Sequence, residues 1–550
     1  MRPHLVAFAA CLALATLGTS ARAVEPWSDP DPPAPPERTT LGTGDYGFRS
    51  AVEYRAAALY VNPISLNTTQ NRNVSWMEHR LRLDGGLDWH DQVRVFVSAD
   101  ALDGVLWGDN GTYGQAPSPI AGANVSTKSP NVTRPCVAFR GGDPLTHDAY
   151  GYGLCSQEAI TVRRAYGEVV LPFGLLRIGR QPTTIGNAIQ GNDGDGRRNR
   201  FGFSRVGNSV DRILFGTKPL EAFKPAGRRN TSPNEGAFLF VAYSKLVQDA
   251  PNLFGDDLNE WVTGVRLLAP KWSGGTSAEI VAFDAFRWDR QYGTSLHTLG
   301  LRAMSRFGDW HAGLEAGANI GSTREVAAAY HAITNDPVVD QPVRQFGARA
   351  VVRYDKPAWT AYLEADFASG NEDPQARATL SQFTWAEDSH VGLIMFTHAL
   401  GFQTARSSAA AVETLRRLEA RSFPAEAINT RGAFTNALAI FPQFDLHPHK
   451  NVLVRGGVLV AWAPARVVDP VASLQARDGL TIEDDLVNYA GGKPGHFYGA
   501  ELDGRVQWRW QEHFAFDLEG GILFPGDAFQ DKNGQAVRSV LVQGRTTFFF

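Results

Sequence analysis

Beyond its first two dozen residues, this 550-residue chain has no long apolar run. No stretch of eighteen or more apolar residues follows, which excludes a membrane protein built from helices. Cysteine is scarce, at three residues. Excess charge is also lacking: 53 basic residues face 57 acidic ones, and such a balance lacks the basic footprint of a nucleic-acid-binding protein. Catalytic signatures are missing too, since no Gly-x-Ser-x-Gly, His-Glu-x-x-His or phosphate-binding Gly-rich loop occurs. The pair His447 and His449 falls in an expected turn, at a spacing common in solvated loops. The chain therefore reads as a non-enzyme without a cofactor, and the remaining enzymatic reading is a Ser/His pair assembled from separate strands.

What is present begins with a secretory leader. Arg2 and His4 precede an apolar run from Leu5 to Leu17, and Ala21-Arg22-Ala23 is a small-x-small cleavage site. The expected division is a signal peptide over 1–23, a Pro-rich disordered periplasmic lead-in over 24–46, and one domain over 47–550. Cleavage removes Arg2 and Arg22, leaving 53 − 2 = 51 basic residues against 57 acidic ones. Cys11 leaves with the leader, so Cys136 and Cys155 remain as one pair in a disulfide-permissive compartment.

Alternation carries the fold. Met77, His79, Leu81, Leu83, Leu87 and Trp89 share one face of a segment whose other face holds Glu78, Arg80, Arg82, Asp84 and Asp88. The same split recurs at Val93, Val95 and Val97 against Arg94, Ser98 and Asp100. It recurs again at Trp359 to Phe367, and at Leu502, Val506 and Trp508 against Glu501, Asp503, Arg505 and Arg509. A soluble sandwich also alternates, but its strands average about five or six residues, and these are longer. Tight turns at His90-Asp91, Pro172-Phe173-Gly174, Phe307-Gly308-Asp309, Asp355-Lys356-Pro357 and Gln511-Glu512-His513 interleave with long connections. Loop length sorted by parity is the pattern of an antiparallel transmembrane β-barrel, with short periplasmic turns opposite long extracellular loops. The expectation is an all-β barrel of about eighteen strands in the bacterial outer membrane, in contact with lipid and lipopolysaccharide. Weak segments at Leu175–Gln181, Ser209–Thr217 and Thr435–Phe444 leave sixteen open, and either size implies an aqueous lumen. The span before the first strand is too short for the N-terminal plug of an energy-coupled transporter.

Two sets of segments resemble the alginate export porin family. One is Leu175-Leu176-Arg177-Ile178-Gly179-Arg180-Gln181, then a Gly-rich loop and Asp211-Arg212-Ile213. The other comprises His496 to Asp503, Gly520 to Phe529, and Ala368-Ser369-Gly370-Asn371. The resemblance implies an eighteen-stranded outer-membrane channel passing an anionic polysaccharide through an arginine-rich lumen, with a periplasmic polysaccharide-export component as a partner. The alternative is a passive diffusion porin, general or solute-specific.

Residues expected along the solute pathway are Arg80, Arg82, Arg94, Arg302, Arg349, Arg353, Arg505 and Arg509, opposed by Glu78, Glu315, Glu364, Asp366, Glu501 and Asp517. Each also reads as a wall ion pair neutralised across strands. Arg197, Arg198, Arg200 and Arg205 suit either a basic constriction loop in the lumen or an external grip on lipopolysaccharide phosphates. Asp193 and Asp195 lack the twelfth-position glutamate of an EF-hand loop and read as a solvated turn, so no metal is expected. In the long segment 370–433, Ser407 or Ser408 caps an expected helix over Ala409–Arg421. The connection from Pro219 to Gly236, with Lys224, Arg228 and Arg229, is long for a periplasmic turn and reads as partner-docking or slack.

Overall fold

The computed structural model describes residues 39–41, 45–66, 73–90, 92–108, 115–116, 125–126, 160–182, 189–191, 199–203, 209–230, 232, 235–246, 259–270, 277–290, 292–335, 337–372, 379–386, 389–407, 428, 430, 432–476, 486–511 and 513–550. Eighteen antiparallel strands close into a barrel. In chain order they are β1 (Tyr46–Asn62), β2 (Val74–Trp89), β3 (Val93–Gly108), β4 (Ile160–Leu171), β5 (Gly174–Pro182), β6 (Ser209–Thr217), β7 (Gly236–Leu246), β8 (Asn259–Ala269) and β9 (Ser277–Trp288). They continue as β10 (Ser295–Phe307), β11 (Trp310–Thr323), β12 (Gln341–Lys356), β13 (Trp359–Ala368), β14 (Ala437–His449), β15 (Val452–Trp462), β16 (Phe497–Trp510), β17 (Phe514–Pro525) and β18 (Ser539–Phe549). Each pairs with the next, and β18 returns to β1 with Phe549 opposite Glu53 and Val540 opposite Asn62. The three weak segments are therefore strands. The wall starts at Tyr46, one residue earlier than expected, and a short strand Thr39–Leu41, inside the span read as disordered lead-in, pairs with Tyr46–Phe48.

The faces sort by a physical rule, because a strand between lipid and the barrel interior must send alternate side chains each way. On β2, Leu83 and Leu87 are 46% and 48% exposed while Arg80 and Arg82 are 2% exposed. Leu363, Leu502, Val506 and Trp508 are likewise exposed, opposite buried Glu364, Glu501 and Arg505. An apolar belt on this scale has no place in water. Aromatic rings flank it at both rims. Trp310, Tyr354, Trp359 and Phe444 stack in series beside the tight turns, while Tyr243, Trp261, Trp288, Trp462 and Phe497 mark the other rim. The protein is thus a β-barrel of the bacterial outer membrane, with the tight turns on the periplasmic side.

Turn chemistry supports this arrangement. Gly308, at φ +60°, lets Phe307 and Trp310 pair directly. Gly179 sits at φ +124°, where a Cβ would lie 2.3 Å from the Ala165 carbonyl oxygen, so the β4–β5 ladder tolerates only glycine there. Loop parity has three exceptions: Asp289–Thr294 is short on the extracellular side, and the β6–β7 and β8–β9 connections are longer than tight turns on the periplasmic side.

The lumen is not simply aqueous, which corrects that expectation. The β13–β14 connection turns inward and packs Phe383, Trp385, Leu393, Phe396, Leu400 and Phe434 against inner-face Leu59, Trp76, Phe441, Leu459, Tyr498 and Leu523, forming the largest buried apolar cluster of the described residues. Near their extracellular ends these strands carry apolar residues on the inner face as well, so a loop can bury them there. Helix within this connection spans 395–407. Ser407 lies inside it and donates to Asp469 Oδ1 at 2.7 Å, so it is no N-cap. Ala409–Arg421 falls outside the described residues, as does Ser408.

Candidate pore lining

Cross-strand register makes the inner wall a set of ion pairs, in which one carboxylate often serves two arginines. On β3–β10, three inner carboxylates are each shared by two arginines. Glu168 meets Arg177 and, at 3.4 Å, Arg94. Glu260 accepts from Arg212 at 3.1 Å and Arg287 at 2.8 Å. Glu279 accepts from Arg266 and Arg302, both at 2.8 Å. Within each set two guanidinium groups face one carboxylate. One arginine of each keeps partial contact with the lumen, with side-chain exposures of 19% for Arg94, 32% for Arg287 and 22% for Arg266. The chain bulges at Arg163, so Arg163 and Arg164 both turn inward between Ser98 and Ala99 of β3. Arg163 lies 3.8 Å from Asp100, and Arg164 lies over the Phe96 ring, which stacks on Tyr166.

The half formed by β11–β18 and β1 is more acidic, and inward loops cover it. Segment 199–203 of the β5–β6 loop lies on the wall. Arg200 bonds both oxygens of Asp445 at 2.9 and 3.0 Å and Gln443 at 2.7 Å, over the Tyr362 ring. Its carbonyl accepts from Arg455 at 2.7 Å and Arg505 at 2.9 Å. Farther up, the Ile189 amide donates to Glu315. Gln190 rests on Gly300 and Gly317, paired neighbours whose missing side chains make room for it. Glu501 supplies the strongest tie: its carboxylate accepts the backbone N–H groups of Leu393, Ile394 and Met395 at 2.6, 2.7 and 2.7 Å, anchoring the start of the inward helix. The two loops also meet, through Ala386 N–H to Ile189 O at 2.9 Å. Outside the strands, burial pushes the Asp469 carboxyl up from its ordinary value, against the bonds it accepts from Ser407, Ala472 and Val471 and the charge of Arg406.

The residues expected along the pathway lie on the inner face but mostly do not face open water. Arg80 is buried against Glu53 at 2.5 Å and Arg82 against Asp100 at 2.6 Å. Arg302 serves Glu279. Arg349 is held by Glu364, with Asp366 at 3.6 Å. Arg353 folds onto Asp355 at 2.7 Å. Arg505 pairs with Asp517 at 2.7 Å, which also takes Arg545 at 3.0 Å. Glu78 is buried, and Arg509 bonds Gln507 at 3.1 Å near the periplasmic end. Arg200 lies against the inner wall, where Asp445, which also takes Arg455 at 2.8 Å, holds it, so it acts as a staple. Arg197, Arg198, Arg205, Asp193, Asp195, Cys136 and Cys155 lie outside the described residues. The reading of the sequence missed Arg163, Arg164, Arg266 and Arg287. Their strands were the signal: Glu260 and Arg266 alternate with Trp261, Val265 and Leu267, but glycines and inward phenylalanines blur the pattern.

No family model matches the chain, and no curated protein matches it either. The resemblance to alginate export porins therefore rests on the quoted segments alone. Among solved structures, the chain is similar to OccAB1 of Acinetobacter baumannii, with 9% identity over 92% of this chain and 96% of that one, at a TM-score of 0.47. It is similar to OccK9 (OpdG) of Pseudomonas aeruginosa, with 9% identity over 92% and 98% and a TM-score of 0.45. A BenF-like porin from Pseudomonas fluorescens gives 9% identity, coverage of 92% and 98%, and a TM-score of 0.44.

Proposed function

We propose that this barrel is a passive channel for small anionic solutes. The observation that supports this is the repeated set of one carboxylate and two arginines on β3–β10, strands that the Arg200 and Glu501 ties do not involve, whose extra arginine gives that part of the wall a positive field. Wall carboxylates hold the arginines in fixed directions and offset part of their desolvation. The surplus charge of each set then replaces part of a solute's hydration as it passes, and the concentration gradient supplies direction. Export of an anionic polysaccharide, which the family resemblance implies, draws on the same basic half. The loops pinned inside the lumen through Arg200 and Glu501 favour the smaller solute.

Reversal potentials across planar bilayers under a salt gradient test this. Replacing Arg94, Arg266 and Arg287 by Gln removes one charge from each set and leaves every carboxylate one arginine. The wild type should prefer anions, with the preference shrinking as the Debye length falls from about 10 Å at 0.1 M to about 3 Å at 1 M salt; the triple variant should lose it. Cation preference in the wild type, or anion preference untouched by the three changes, would overturn the reading.

A further inference from the structure

The β6–β7 connection breaks the rule of short periplasmic turns, and its described residues are bonded to one another at several points. Lys218 closes its base, donating to the carbonyls of Asn230 at 3.1 Å and Ser232 at 2.8 Å. Glu221 accepts from Lys224 and from the Asn230 amide, at 2.8 and 2.7 Å. Arg229 donates to the carbonyls of Lys224, Ala222 and Pro172. That last bond, with Thr217 Oγ1 to Phe173 O at 2.6 Å, ties the turn to its neighbour along the rim rather than across the lumen. A slack linker has no need of such bonds.

On this rigid frame a short helix, α1 (Pro219–Ala222), presents Leu220 and, one turn on, Phe223, which are 67% and 91% exposed. The connection that carries them is tied by Arg229 to Pro172, next to Phe173, which is 55% exposed and lies 6.1 Å from the Phe215 ring. Residues 218–235 hold four basic side chains and two acidic ones. Large apolar side chains next to surplus positive charge, at the level of a membrane rim, match the chemistry of an interfacial anchor.

We propose that this turn anchors the barrel in the periplasmic leaflet, with Leu220 and Phe223 inserted among acyl chains and Lys224 and Arg228 against anionic phospholipid headgroups. A water-filled periplasm gives Phe223 nothing to gain from being held rigidly outward. A protein partner is the competing occupant. The tie to the β4–β5 turn at the barrel rim and the positive surplus favour the leaflet.

A spin label at Phe223→Cys, with Cys136→Ser and Cys155→Ser, tests this in the full-length protein. The barrel is reconstituted in phosphatidylethanolamine vesicles with and without phosphatidylglycerol, and folding is checked by heat-modifiable gel mobility. The label should be open to oxygen and shielded from a water-soluble nickel chelate, more so with phosphatidylglycerol. Adding Lys224→Ser and Arg228→Ser should erase that difference, while a label at Asp309→Cys stays open to the chelate. The proposal is overturned if position 223 is open to the chelate in both vesicles, or shielded only in native outer membranes that retain periplasmic proteins.

Discussion

Glu501 is where the architecture is most exposed to a single change. Replacing it by Ala leaves the amides of Leu393, Ile394 and Met395 buried without an acceptor. An orphaned buried donor costs about 1–3 kcal/mol, so the three together cost roughly 3–9 kcal/mol. Whole domains are stable by only about 5–15 kcal/mol, so the strain should be relieved locally. The loop start leaves the wall and finds water, while the eighteen-strand ladder, which does not use this carboxylate for backbone pairing, stays closed. Single-channel recordings should show larger and noisier conductance for Glu501→Ala, and hydrogen exchange should rise over 393–400 but not in β16. Glu501→Gln keeps one carbonyl acceptor yet turns a donor toward the same amides, so it should fall between. If the alanine variant conducts and exchanges like the wild type, the carboxylate is not what holds the loop. If β16 and β17 exchange faster along with it, loop and wall are one unit and the local account fails.

Arginine in place of Leu502 should destabilise the barrel by about 2–4 kcal/mol in denaturant titrations, because the position faces mid-bilayer lipid; folding as stable as the wild type would mean the faces are reversed. Arg505→Gln should also destabilise, since Arg505 braces Asp517 and the Arg200 carbonyl. Asp469 bears on pH. Its folded value is raised above the unfolded one, so the folded state holds the proton more tightly, and its contribution to loop stability is present at low pH and lost as pH rises through the folded value. Asp469→Asn, which keeps an acceptor for Ser407 and the two amides, should flatten that dependence in proteolysis of the 463–476 segment between pH 4 and 8. A persistent pH dependence in the Asn variant would assign it to another group.

Much of the wall was legible because lipid imposes a period of two: Leu83 and Leu87 against Arg80 and Arg82 can be sorted with no structure at all. Loop parity was legible for the same reason, as a consequence of crossing a slab repeatedly. The inward loops were not. Phe383, Leu393 and Phe396 follow no period, and nothing local says that they meet Leu459 and Tyr498, which lie roughly 60–100 residues away. Pairings were equally hidden. That Glu260 serves both Arg212 and Arg287 depends on the register of four strands. Expecting arginines on the inner face to line water was therefore right about direction and incomplete about surroundings, because neighbouring carboxylates and loops had claimed most of them.

Closure of the barrel bears on how the chain is made. The seam joins β1 to β18, where Val52 N–H donates to Phe550 O at 2.7 Å and Phe550 N–H donates to Val52 O at 2.8 Å. These partners are on the order of 500 residues apart, a separation at which loop-closure entropy makes pairing slow. Until the last strand arrives, β1 has an open edge of unpaired amides and carbonyls, and the apolar belt has no bilayer to face. An intermediate in the periplasm is thus sticky along its whole length, and its survival depends on how long the first strand can wait for the last.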